Sequence, residues 1–341
     1  MRSYAWQSAL GILLSVALLY WALHDVSLSE VWRHIRAANL WLLALAVTIQ
    51  TSNFLVRAAR WKVFLSPALA NPAYRARFAS TCIGFMANNL LPARIGEFAR
   101  AYALARTQPI TVSASFGSLV IERVFDGLTL ALFLAVPLLL PGFITAPELG
   151  EGLLAQVLAI LLIFGGAVAG VLLLVTRPQL ATRIFRLTLG RLLPRKLADK
   201  IAEVMISFVA GLEAMRSPRL VAAGFAWSLG HWLWGSVALW LGMLAFDITR
   251  PGYLGAVFLQ AVNAFAVAIP SSPGFFGPFE AGVRVALLPF GVDAGHAASY
   301  AIAFHITSFL PVTAIGLYYL WRLGLSWGEV GRSEEIVEQS A

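Results

Sequence analysis

Six stretches of this chain, Ser3–Leu23, Ala37–Val56, Gly127–Pro147, Gly152–Thr176, Leu220–Phe246 and Ala294–Trp321, contain no Asp, Glu, Lys or Arg. Each is long enough, as helix, to cross the roughly 30 Å hydrocarbon layer of a bilayer. Lipid offers no partner to a backbone N–H or C=O, so a chain built from such runs satisfies those groups inside helices. The expected fold class is therefore all-α, a polytopic transmembrane helical bundle. Two further apolar regions, Phe78–Ile121 and Pro251–Val292, are interrupted by proline, glycine and ionisable residues. Both are predicted to be broken or re-entrant helix pairs, because such interruptions survive at membrane depth only where protein or a wet cavity covers them.

Composition agrees: 59% of the residues are hydrophobic and 12% are charged, about half the charged fraction of soluble domains. That excludes a soluble enzyme with a simple anchor. The net charge of +8 does not point to nucleic acid, because the basic residues cluster between apolar runs in the pattern of membrane loops. Arg57, Arg60, Lys62, Arg75 and Arg77 crowd one such segment, and 177–219 carries more, whereas 146–151 carries none. By the bias of Lys and Arg toward the cytoplasm, both crowded segments are expected there. Both termini then lie inside, at a bacterial inner membrane, and the two broken regions enter from opposite faces. The first apolar run lacks a cleavage pattern after Leu23 and is expected to stay as a first helix. Cys82, the lone cysteine, leaves no internal disulfide. Leu197, Ile201, Val204, Met205, Phe208 and Leu212 recur at helical spacing, predicting a helix on the membrane surface or on the protein's own cytoplasmic face. The acidic tail, 329–341, is expected to fray.

The chain is expected to be one membrane domain, 1–341, in which halves 1–147 and 148–328 each read as span, span, broken pair, span. Inserted in opposite directions, they would form the inverted-topology repeat of many transporters. The broken regions share a weak local pattern, Asn89, Pro92, Gly96, Glu97 and Arg100 against Asn263, Pro273, Gly277, Glu280 and Arg284, with the Pro-x-x-x-Gly spacing identical. Half-helix N-termini created by such breaks direct partial positive charge inward, suited to a phosphate or carboxylate.

The densest polar constellation is Asn88, Asn89, Arg94, Glu97 and Arg100, followed by Glu122, Arg123 and Asp126 in apolar surroundings. Ionisable groups at that depth are costly and tend to be functional. Glu122 and Asp126 share a helix face, and pairing of Arg94, Arg100 and Arg123 with Glu97, Glu122 and Asp126 would sum to zero. Two readings stay open: a network that binds a lipid headgroup by exchanging partners, or a static ion-pair lock on a broken helix. The guanidinium's planar fork suits phosphate. In the second region, Pro270, Pro273, Gly274 and Gly277 forbid continuous helix. Glu280 then opens the next helix, with Arg284 one turn on as its expected partner. No nucleophile elbow, phosphate-cradling loop or His-Glu-x-x-His motif occurs, so neither an enzyme nor a bound cofactor or metal is expected. His231 and His305 lie in apolar runs and are expected to be hydrogen-bonded within the bundle. A proton or ion gradient would act through Glu97, Asp126 or Glu280.

Three runs taken together, Asn88 to Arg100, Glu122 to Gly127, and Ile269 to Glu280, resemble the lysylphosphatidylglycerol synthase transmembrane-domain family. The resemblance extends over nearly the whole chain. It implies a flippase-like protein similar to the flippase half of the multiple peptide resistance factor, handling membrane lipids that range from aminoacylated phosphatidylglycerol to hopanoids and polyprenyl-linked sugars. The expectation is a lipid translocase for an anionic or zwitterionic headgroup. The alternatives are a membrane-embedded lipid-modifying enzyme using paired carboxylates, and a scaffold that recruits a lipid-biosynthesis enzyme through the basic 177–219 segment.

Overall fold

The computed structural model describes residues 2–140, 142–143, 177–188 and 217–340, with positions 162, 166, 173 and 190 between them. The described residues form an all-helical bundle: α1 Arg2–Leu23, α2 Leu28–Ala37, α3 Leu40–Leu65, α4 Tyr74–Leu90, α5 Gly96–Ala105, α6 Val112–Leu138, α7 Pro178–Leu187, α8 Pro218–Ala245, α9 Gly252–Ala266, α10 Pro278–Leu287, α11 Ala294–Arg322, α12 Trp327–Gly331 and α13 Ser333–Ser340. The expected run Gly152–Thr176, the amphipathic stretch Leu197–Leu212 and the meeting of the halves near Pro147 lie outside the described residues.

Short polar side chains start the helices where the sequence changes character. Ser27 accepts from the Glu30 N–H, Asn39 from those of Trp41 and Leu42, Thr111 from that of Ala114 and Asp293 from that of His296. Each satisfies an amide that the first helical turn leaves without a partner. By length and composition, α3 and α11 can each cross a membrane, and α1 with α2 qualifies as one pair bent by 76°. The helices over the expected runs Gly127–Pro147 and Leu220–Phe246 do not qualify singly among the described residues. In α6 the charges Glu122, Arg123 and Asp126 sit inside the helix, and in α8 polar and glycine positions such as Ser228, His231 and Gly235 dilute the apolar content. The run expected at Ala37–Val56 also extends to Leu65, because Arg57 and Arg60 are buried within α3.

Both interrupted regions are broken helix pairs, as expected. α4 passes to α5 through a single turn of 3-10 helix, Pro92–Arg94, and α9 leads to α10 by way of Pro273–Phe275. The likeness is conformational: the third residue of each turn, Arg94 or Phe275, has φ of 56° or 63°, in the left-handed region that side chains rarely adopt. The two breaks touch. Arg94 Nη1 donates to the Ala268 carbonyl at 2.6 Å, and its guanidinium lies 4.8 Å from the Phe275 ring centre.

α3 packs along α8, and α4 along α11. The second contact depends on Gly316, where a Cβ would overlap the Cys82 carbonyl and Met86 Cβ of α4. Small residues allow such backbone approach where lipid supplies no hydrophobic drive for helices to associate. Gly316→Ala should therefore push α11 off α4 and cost about 1–3 kcal/mol, measurable as a lower unfolding midpoint of the detergent-purified protein. Outward-facing side chains such as Leu13, Tyr20, Leu310 and Trp321 are large and exposed, as a lipid-facing surface requires. The tail expected to fray is instead helical and docked. Ser326 and Glu329 cap α12, the Tyr102 hydroxyl donates to Glu329 Oε1 at 3.0 Å, and Val330 and Val337 are buried.

Candidate functional site

Five guanidiniums and three carboxylates gather where α3, α5 and α6 meet the first break, and the structure divides them into a core, an edge and a latch. In the core, Glu122 is fully buried and receives both arms of Arg100, at 2.9 and 3.1 Å, with Arg60 Nη2 at 2.8 Å. Asp126 is bridged to Arg60 and accepts from the Trp232 indole N–H at 2.8 Å, while Arg60 also donates to the Ser228 hydroxyl at 3.0 Å. At the edge, Arg123 reaches Glu97 at 2.7 Å, both partly exposed, and approaches Asp126 at 3.5 Å. The latch is Arg94, which reaches across to the second break and takes no carboxylate.

The expected neutral set of three arginines and three carboxylates is corrected by this arrangement. Arg57 and Arg60 join it, and Arg94 stands apart. Both added residues had been assigned to a basic loop, because they end an apolar run. In the structure they continue α3 and bury against α6 and α8. Arg77 is also buried, donating to the carbonyls of Pro72, Ala58 and Ala59. Three of the five charges behind the expected cytoplasmic loop are thus tied up inside the protein. Without Arg94 the cluster holds four guanidiniums against three carboxylates, a surplus of one positive charge.

That surplus faces a cavity. Arg57 bonds His231 Nε2 through Nη2 at 3.1 Å, whereas its Nη1 forms no hydrogen bond and lies 3.7 Å from Glu122. The cavity, about 220 Å³, lies between α3, α4, α8, α9, α11 and the second break. Asn53 and Ser308 on its wall fall at the middle of α3 and α11, two helices long and apolar enough to cross a membrane singly. Five lining atoms, Gln50 Oε1, Asn53 Oδ1, Arg57 Nη1, His231 Nδ1 and Asn263 Oδ1, are buried and have no hydrogen-bond partner within the protein. Leaving a buried polar atom unmet costs about 1–3 kcal/mol, so a wall with five of them suits a polar occupant. Phe85, Trp232 and Phe309 are among the apolar residues that complete the lining.

The other expected residues fall into supporting places. Asn88 accepts from the Gly96 N–H at 2.8 Å and so caps the half-helix after the first break. Asn89 donates to the Thr313 hydroxyl at 2.8 Å and lines the cavity, as does Asn263. In the second break Gly274 and Gly277 have φ of 73° and 96°. Position 277 has no room for a Cβ because the Ser15 carbonyl of α1 lies against it. Pro270 and Pro273 bracket Ser271 and Ser272, where the Ser272 N–H donates to the Ser15 hydroxyl at 2.8 Å. The expected Glu280–Arg284 pair does not form. Glu280 turns back to accept from the Gly277 N–H at 2.7 Å and meets His305 Nδ1 at 2.7 Å. Arg284 extends to the end of α1, donating to the Ala22 carbonyl at 2.9 Å and to both oxygens of Asp25 at 2.5 and 2.6 Å. A helix C-terminus attracts a cation, and that end outcompetes a neighbour one turn away.

The hydrogen bond from Arg284 holds the Asp25 carboxyl below the usual carboxylate range. A depressed carboxylate contributes above its unfolded value and loses the contribution as pH falls through its folded one. The α1–α2 elbow should therefore stay docked at neutral pH and loosen only below about pH 4. Asp25→Asn should loosen it at neutral pH. Thiol labelling of His24→Cys in a Cys82→Ser background reads both effects.

His231 and His305, expected to be bonded inside the bundle, are. Among the described residues no group of three or more His, Cys, Asp or Glu is placed to hold a metal. The sequence signal for the cavity was present but weak: Gln50, Asn53 and Arg57 lie on one face of α3 inside an otherwise apolar run.

The profile of the family described as lysylphosphatidylglycerol synthase TM region matches residues 8–316. The chain belongs to that family. It is 26% identical over 322 residues to a UPF0104 membrane protein of Methanothermobacter thermautotrophicus, covering 91% of each chain. It is 22% identical to the UPF0104 membrane protein MJ1078 of Methanocaldococcus jannaschii, over 68% of this chain and 93% of that one. It is also 26% identical to the glycosyltransferase AglD of Haloferax volcanii, over 79% of this chain and 47% of the archaeal protein. No solved structure matches it. The protein is a membrane protein with transmembrane helices.

Proposed function

We propose that this protein is a lipid translocase of a bacterial inner membrane, multi-pass with both termini cytoplasmic, and that its headgroup site is the cavity around Arg57. One observation carries the reading: a polar cavity at mid-helix depth whose wall holds five buried polar atoms without a hydrogen-bond partner in the protein, one of them Nη1 of the surplus guanidinium. A lipid can enter such a site sideways between helices, with its chains left outside. The cavity volume suits a small headgroup. Arg57 would take an anionic or zwitterionic headgroup through its free Nη1, with Asn53, Asn263 and Gln50 receiving its hydroxyl or ammonium hydrogens.

In this reading the ion-pair core around Glu122 is scaffold, and the exposed Arg123–Glu97 pair is the edge that exchanges partners with a headgroup. The facing breaks are the gates, held by the Arg94 latch. Opposed gates of similar turn geometry suit alternating access from the two leaflets. No catalytic step is assigned to the chain, and its partners are membrane lipids.

The likeness to AglD, named a glycosyltransferase, favours a second reading in which the headgroup is a lipid-linked sugar. Leaflet exchange in proteoliposomes distinguishes the two. Fluorescent phosphatidylglycerol, phosphatidylethanolamine and a polyprenyl-phosphate sugar are offered separately, and the faster-exchanging class identifies the cargo. Exchange no faster than in protein-free vesicles for all three overturns the translocase reading.

A further inference from the structure

The second break contains a group that the headgroup site does not use. His305, buried on α11, has an oxygen on each side: Glu280 Oε1 is 2.7 Å from Nδ1, and the Gly274 carbonyl is 2.9 Å from Nε2. A carbonyl oxygen only accepts, so Nε2 carries a hydrogen. At Nδ1, a bare ring nitrogen and an ionised carboxylate would set two lone pairs against each other at hydrogen-bond distance. One proton must therefore lie between them, on the ring or on the carboxyl. Either placement leaves the pair with one proton more than a neutral imidazole beside an ionised carboxylate.

That proton is built into the shape of the break. Glu280 is fixed from behind by the Gly277 N–H, and the His305 ring is stacked on Phe279 at 4.1 Å and flanked by Phe276 at 4.7 Å. Gly274, Phe276, Gly277, Phe279 and Glu280 all belong to the break or to the first turn of α10, and His305 lies on the cavity wall. Removing the proton would oppose the Nδ1 and Glu280 lone pairs, and the strain falls on the turn from Gly274 to Phe279.

The surrounding charges leave the pair alone. Arg57 and His231 face it across the cavity from α3 and α8 and bond each other. Arg94 reaches in from the first break but ends on Ala268, Arg284 turns away to Asp25, and the Tyr300 hydroxyl donates to Leu239. Among the described side chains α1 and α9 present no charge to it, and α4 meets the cavity wall with Phe85 and the uncharged Asn89.

We infer that Glu280 and His305 form a proton-binding site whose occupancy sets the second break, coupling proton movement to opening of the cavity. Its transport part rests on the translocase reading. On release, the proton passes to water in the cavity, and on binding it returns from water on the opposite side of the gate. Protonation here is a switch between two arrangements of one element.

The test has two arms. In the purified full-length protein, nitrogen NMR of labelled histidines together with the infrared carboxyl band counts protons on the pair. The expected result at neutral pH is a doubly protonated ring, or a protonated carboxyl, that disappears in both His305→Gln and Glu280→Gln. A ring with one bare nitrogen and no protonated carboxyl overturns the site. In phosphatidylethanolamine–phosphatidylglycerol vesicles, one proton per lipid predicts that the steady-state leaflet ratio of fluorescent phosphatidylglycerol shifts about tenfold per unit of imposed pH gradient. In both variants that ratio should become independent of the gradient. A variant that keeps the dependence overturns the coupling. Wild-type protein that moves none of the offered lipids defeats the translocase reading, while the spectra still decide whether the proton is there.

Discussion

Replacing Arg60 with methionine should lower the stability of the purified protein by about 3–5 kcal/mol, the usual cost of removing one partner from a buried ion pair. Arg60 is fully buried and pairs closely with both core carboxylates, Glu122 at 2.8 Å and Asp126 through a bridge of two hydrogen bonds. Without it Glu122 keeps Arg100. Asp126 keeps the Trp232 N–H and the 3.5 Å approach of Arg123, too little for a carboxylate taken out of water. Against the roughly 5–15 kcal/mol that holds a typical domain together, the loss is large. A second substitution separates charge from packing: adding Asp126→Asn to Arg60→Met removes the orphaned charge and should restore part of the loss. Tryptophan fluorescence during thermal unfolding follows both proteins. An unchanged midpoint in Arg60→Met would mean that the core is no lock.

The same residue shows why this site was only partly legible beforehand. Arg57 and Arg60 follow a charge-free run, and on a linear reading a span ends where charges begin. What reverses that reading is distant in sequence: Glu122, Asp126 and Ser228 from α6 and α8 provide the compensation that lets α3 run on to Leu65 as a buried helix. Glu122 and Asp126 could be singled out, since carboxylates inside apolar helices stand out anywhere. Of their partners Arg100 could be named, and it does take Glu122; Arg57 and Arg60 could not, because arginine spacing along one helix says nothing about which other helix it meets. The breaks were legible for a local reason. Proline and glycine act on their own backbone, so Pro92 and Pro273 mark the turns wherever the rest of the chain goes. The Glu280–Arg284 expectation failed because helix spacing offers a partner without weighing competitors. Gly277 offered Glu280 an unmet N–H, and the end of α1 offered Arg284 unmet carbonyls and Asp25. The tail was misread on net acidity, which overlooked Val330, Ile336 and Val337 at helical spacing.

Arg57→Gln should have the opposite profile to Arg60→Met, with exchange strongly reduced and the fold intact. Arg57 is the surplus cation, crowded by Arg60 and close to a Glu122 that two other guanidiniums already satisfy, so removing it takes away repulsion as well as attraction. Its bond to His231 Nε2 can be remade by the glutamine amide, and the unfolding midpoint should move little. For a headgroup phosphate the loss is specific. A hydrogen bond to a charged group contributes about 1.5–3 kcal/mol, so losing the free Nη1 donor alone should slow exchange about 10- to 100-fold. Arg57→Lys keeps the charge without the fork and should fall between the two, since an ammonium cannot bond His231 and a headgroup in one plane. Exchange of phosphatidylglycerol in proteoliposomes, normalised to folded protein, measures all three. Arg57→Gln exchanging at the wild-type rate would place the headgroup elsewhere, and the exposed Arg123–Glu97 edge would become the next site to test, because it is the part of the cluster that solvent and lipid can reach without opening either break.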